Sequence, residues 1–144
     1  MATLPARPCV TSLVALVGAC AQLGDDAAAA RLSALLAPWA GHQLAAGDTY
    51  LGAADHHLGL LAATAGRWER ALGHLRAALA AHERLGARPW QALTAQAVAG
   101  TLRGRGQPGD EEGAAAMDAT AYALAGRLGM DLPGWGRPVL GPRP

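Results

Sequence analysis

Lysine, asparagine, isoleucine and phenylalanine are all absent from the 144 residues. Without lysine, no Gly-x4-Gly-Lys-Ser/Thr phosphate loop can be written anywhere in the chain, which excludes nucleotide hydrolysis of that type. Without isoleucine and phenylalanine, and with Val98 and Val139 isolated, the β-branched and aromatic runs that build strands are nearly missing, and α-helix is the default element. Aromatic residues make up only 4% of the chain, so the core is built from alanine and leucine, whose small side chains let helices pack closely. The four missing residue types share AT-rich codons, which fits a high-GC bacterial gene.

Charge is also sparse. The twelve basic residues, all arginine, face eleven scattered acids for a formal net charge of +1. Binding nucleic acid through its phosphates needs clustered cations, and no basic stripe is present. Cys9 and Cys20 are the only cysteines and read as two small buried or half-buried thiols in a reducing compartment. Arg7, the apolar run 10–21 and the small-residue step Ala19-Cys20-Ala21 imitate a cleavable secretory signal. Pro5 and Pro8 interrupt that leader, and the run flows into Gln22-Leu23-Gly24-Asp25-Asp26, a helix end followed by a helix start. The run falls short of the about 20 apolar residues of a membrane span. The expectation is a cytoplasmic protein with no membrane partner, a secreted helical protein being the lesser alternative.

Size scaling lets a compact chain of this length bury roughly two thirds of its unfolded surface, enough for one core. Breakers divide it into six helices, expected at about 10–23, from Asp25 or Asp26 to 38–41, from Asp48 as N-cap to 66, 68–85, 89–103 and 110–129. The domain then spans residues 10–130, after a leader 1–9 and before a Pro/Gly-rich flexible tail 131–144. Trp135 lies in that tail, either free or docked back onto the last helix. Gly24, Gly66 and Gly106 each separate two apolar helices at intervals of 42 and 40 residues, so helix pairs recur three times. A helix pair cannot bury both its apolar faces alone, and stacking successive pairs solves this. The predicted fold is all-α, a right-handed α-solenoid of about three helix-turn-helix repeats.

The middle pair resembles a tetratricopeptide repeat (TPR). Leu58-Gly59 falls on its Leu-Gly step, Ala62 on the usual aromatic position and Gly66 on the inter-helix turn. Trp68, Ala71, Leu75 and Ala78-Leu79 fall on the alternating large and small positions of the second helix. Sterically, Gly59 and Ala71 let two backbones approach while Trp68 and Leu75 fill the space beside them. The outer pairs depart further: Val17 replaces the small glycine, Ser33 a bulky residue and Asp118 an apolar one, and the third turn is swollen at 104–109. The segments 35–41, 57–64, 66–68, 83–90, 106–110 and 128–130 are similar to the C-terminal, MalT-like TPR region of actinobacterial STAND-type ATPase regulators. Those are LuxR-family transcriptional regulators and adenylate/guanylate cyclase-like proteins with an AAA ATPase domain. The resemblance implies a sensor or scaffold segment for signal transduction, with ATPase, cyclase and DNA-binding functions in other domains.

Candidate sites are few. His56 and His57 are adjacent and so point about 100° apart on a helix, while His74 and His82 are two turns apart, so no metal site is expected. Ser12, Ser33, Cys9 and Cys20 stand in no nucleophile motif, and the reading is non-catalytic, without cofactor. Trp39, Trp68 and Trp90 sit at helix ends or packing positions and read as repeat packing. Carrying the TPR groove over from the resemblance gives a protein-binding surface of Gln22, Ala53, His56, Leu60, Thr64, Arg88, Gln91 and Ala95, shallow and suited to an apolar helix or extended peptide. The expected partner is a protein or peptide. A truncated structural fragment that self-associates into a homo-oligomer is the alternative.

Overall fold

The computed structural model describes residues 9–133. The leader at 1–8 and the part of the tail from 134, with Trp135, lie outside the described residues. Six helices form: α1 (Val10–Leu23), α2 (Asp26–Leu36), α3 (Ala54–Thr64), α4 (Trp68–Leu85), α5 (Arg88–Arg105) and α6 (Asp110–Leu128). Their ends have local causes. Asp25 caps α2, its carboxylate accepting the Ala28 N–H at 2.9 Å. After α3, Gly66 takes φ of +67°, and N–H groups of Gly66 and Arg67 close on the carbonyls of Ala63 and Ala62, a Schellman ending.

One expected element is different. Asp48 does not cap a helix, because residues 43–53 form a two-stranded antiparallel hairpin of β1 (Gln43–Ala46) and β2 (Thr49–Ala53). Ala46 pairs with Thr49, leaving Gly47-Asp48 as a two-residue loop with positive φ at Gly47 alone, as a type II′ turn requires. The hairpin starts after a 3-10 turn at Ala37–Trp39, and α3 begins only at Ala54. A bulge between Leu44 and Ala45 accommodates Leu51 as the extra residue opposite.

Each helix packs on its sequence neighbour from α1 to α3 and from α3 to α6, and α1 and α5 also reach α3. That places α3 at the centre, and all its residues from His56 to Ala62 are buried. Gly59 makes this possible. A Cβ there would stand 2.5 Å from the Leu75 side chain and 3.2 Å from the Ala71 carbonyl, so α3 and α4 touch through a position only glycine fits. Leu58, Ala71, Leu75 and Ala78 are buried around this crossing, while Trp68 is half-buried and lies over Gly104 of α5. Trp39 departs from the packing role expected of it, since it is 42% exposed.

The last helix packs firmly despite its unconventional residues. Asp118 is held by Arg103 of α5 at 2.7 Å, so the carboxylate that replaces an apolar residue is paired across the interface. The swollen turn before α6 is organised by Asp110, which takes two hydrogen bonds from Arg105 and one from the Gln107 N–H. Arg105 also reaches Glu69 at 2.6 Å, linking the start of α4 to the end of α5.

Candidate functional site

Two groups of polar residues lie beside α3, one sealed and one open. The sealed group is a cage of His56, His57, His82, Tyr50 and Trp90, with the Trp90 ring centroid 5.3, 5.8 and 5.7 Å from the three imidazoles. The hairpin closes it: Tyr50 meets His82 and Trp90 edge-on, and Gly52 leaves room for the indole. The hydrogen bonds fix the tautomers. The Ala53 N–H donates to Nε2 of His82 at 2.9 Å, so the proton of a neutral His82 sits on Nδ1 and is donated to the Thr94 hydroxyl, 3.1 Å away. Thr94 then donates its own proton to Nδ1 of His56 at 2.8 Å. His57 donates through Nε2 to the Leu51 carbonyl at 2.8 Å.

Burial pushes the His56 basicity well below the usual range, aided by the nearby His57 and His82, and lowers that of His82 to about 4. Burial lowers His57 as well, against the opposing bond to Leu51. At neutral pH the cage is therefore uncharged. Thr94 is fully buried with its hydroxyl committed to both rings. No group of three His, Cys, Asp or Glu among the described residues could hold a metal ion. Cys20 is buried with its thiol donating to the Asp25 carbonyl at 3.2 Å, and Cys9 is exposed, both of them free thiols.

The open group is a cleft of about 530 Å³ above α3, between α2 and α4. Leu58, Leu61, Ala62 and Ala65 make its floor, and Asp26, Ala30, Ser33, Ala34 and Ala37 one wall. Arg67, Arg70 and His74 form the opposite wall, spaced to share one face of α4. Asp55 ties one end shut: its two carboxylate oxygens take His74 Nδ1 and the Gly41 N–H, each at 2.7 Å. Those contacts also set the directions. The chain beyond the C-terminus of α2 meets the start of α3, so α2 and α4 both run antiparallel to α3. Neither Arg67 nor Arg70 is in an ion pair with a described acid, in contrast to Arg103 and Arg105.

The surface carried over from the repeat resemblance is not assembled. Ala53, His56, Leu60 and Ala95 are buried, while Gln22 and Arg88 are exposed. Thr64 and Gln91 are half-buried, and each side chain is turned onto a backbone carbonyl, of Leu60 and His82 respectively. The physical reason is that α3 is covered by four other helices and by β2, so its expected open face is interior. The α2–α4 cleft was missed, although Arg67, Arg70 and His74 at helical spacing facing an alanine-rich helix were its signal. No protein-family model, curated protein or solved structure matches the chain.

Proposed function

We propose that the chain is a protein-interaction module, a TPR-like helical scaffold that receives a segment of another protein and catalyses no reaction. The observation that carries this is the cleft between α2 and α4, an alanine-walled trough with two arginines on its rim that pair with no described acid. Apolar floor and polar rim are the ordinary anatomy of a protein docking site. The repeat reading is supported by the glycine-mediated crossing of α3 and α4 and by the contacts of α3 with α1 and α5. A relation to the TPR segments of bacterial signalling ATPases and a cytoplasmic setting belong to the same reading. No described helix is long and apolar enough to cross a membrane.

Self-association is the second reading, favoured by α1, where Leu16 and Leu23 are 54% and 79% exposed. Sedimentation over a wide concentration range, combined with NMR titration of the labelled chain by amphipathic helical peptides, separates the two. A monomer whose cleft resonances shift with peptide is the expected result. Concentration-dependent oligomers that no peptide perturbs would replace docking by self-association.

A further inference from the structure

We infer that the occupant of the α2–α4 cleft is an acidic amphipathic helix, its small apolar residues lying on the alanine wall and its carboxylates meeting Arg67 and Arg70; this rests on the docking reading above. Shape and charge each point to it. The α2 wall is alanine apart from Ser33 and, in its first turn, Asp26, and an alanine surface lets another backbone approach closely. The wall extends over the 11 residues of α2, which is roughly 16 Å at helical rise, about three turns of a partner helix. The floor residues Leu58, Leu61 and Ala62 are at most 6% exposed, so the apolar surface left for a partner is the exposed wall of Ala30, Ala34 and Ala37.

Charge selects the partner's sign. Arg67 and Arg70 stand one helical turn apart on the rim with no described acid bound to them. Asp55, at the closed end, has both oxygens engaged by His74 and Gly41, and Asp26, in the first turn of α2, is the one acid among the lining residues. Two arginines against Asp26 leave the lining with an excess of positive charge that planar carboxylate recognition suits. Glutamates one turn apart on the partner match that spacing, and lysines at the same places meet like charge.

The test uses the full chain and three synthetic alanine/leucine helices of equal length, with Glu, Gln or Lys in pairs one turn apart beside the apolar stripe. Binding is followed by NMR shifts and by fluorescence anisotropy at low and high salt. The Glu helix is expected to bind tightest, with perturbations at Ala30, Ala62 and Arg70, and to weaken as salt rises. The double variant Arg67→Glu/Arg70→Glu, at two exposed sites and with its fold checked by circular dichroism, is expected to lose about tenfold for the Glu helix and to gain for the Lys helix. Ala30→Trp, which fills the trough from an exposed position, is expected to block all three. Equal binding of the three helices would overturn the acidic partner and leave docking standing. Binding of none, or shifts away from the cleft, would overturn both.

Discussion

The Thr94 hydroxyl sits between two imidazoles, 2.8 Å from Nδ1 of His56 and 3.1 Å from Nδ1 of His82. One hydroxyl therefore joins α3, α4 and α5, and through the Ala53 N–H on His82 it also fastens the hairpin. Thr94→Val preserves shape and removes both bonds, leaving two buried ring nitrogens without this partner. A loss of about 2 kcal/mol is expected. Thr94→Ser keeps the hydroxyl and forfeits only a methyl group. Urea unfolding of both variants decides the matter, and a Val variant as stable as the Ser variant would remove the hydroxyl from the account.

Acid should unlatch the same cage. The folded-state basicity of His82 lies at about 4, below its unfolded value near 6.5, and that of His56 and His57 is lowered too. The unfolded chain therefore binds more protons across this interval, and stability falls as pH drops from about 6.5 towards 4. His82 alone accounts for about 3 kcal/mol over that range. The described rings packed on His82 are Tyr50, His56 and Trp90, and its two nitrogens bond the Ala53 N–H and the Thr94 hydroxyl, so no described carboxylate bonds to His82. Unfolding midpoints measured between pH 7.5 and 4.5 should decline throughout. A plateau down to pH 5 would contradict buried neutral histidines.

Much of the helical frame was readable from breakers and charges. Gly24, Gly66 and Gly86 end helices with positive φ, and Asp110 opens α6, because the backbone at such positions depends on nearby residues alone. The hairpin was not foreseen, since Asp48 reads as the N-cap of a helix and only the Gly47-Asp48 loop with Thr49-Tyr50-Leu51 marks a strand pair. His56 and Leu60 of the expected groove are buried for a tertiary reason. Which face of α3 stays open depends on what covers it, and α1 and α5 arrive from outside the local sequence. The cage of three histidines around Trp90 likewise depends on residues from Tyr50 to Thr94 converging, which adjacency at 56 and 57 alone does not reveal.

Helix glycines should divide by sign. In an exposed helix, Gly→Ala stabilises by about 0.5–1 kcal/mol through the unfolded chain. Gly73 in α4 has nothing within 4 Å of a Cβ and should follow that rule. Gly59 and Gly104 should reverse it: a Cβ would stand 2.5 Å from Leu75 at the first and 2.7 Å from the Trp68 ring at the second. Overpacking at such sites costs about 1–3 kcal/mol, more than the entropic gain. Thermal melts of the three alanine variants test this. A stabilised Gly104→Ala would mean that Trp68 is free to move off α5.

The junction of α4, α5 and α6 should depend on Asp110 and little on Glu69, although both bind Arg105. Asp110 is 5% exposed and accepts a paired hydrogen bond from Arg105 and one from the Gln107 N–H, whereas the Glu69 side chain is 74% exposed and makes one contact. Bidentate, partly buried pairs are the strong ones, and exposed single contacts are screened by water and salt. Asp110→Ala leaves Arg105 and the Gln107 N–H without their acceptor and should lower the melting temperature clearly. Glu69→Ala should shift it little. Arg105 holds the Asp110 carboxyl below the usual carboxylate range, so its part of the stability is present above that range and is lost only as the pH falls through it. That window lies below the histidine one, so Asp110→Ala should flatten the acid limb under about pH 4 and leave the decline between pH 6.5 and 4 unchanged. If Asp110→Ala instead abolished the upper decline, the histidine cage would not be its source.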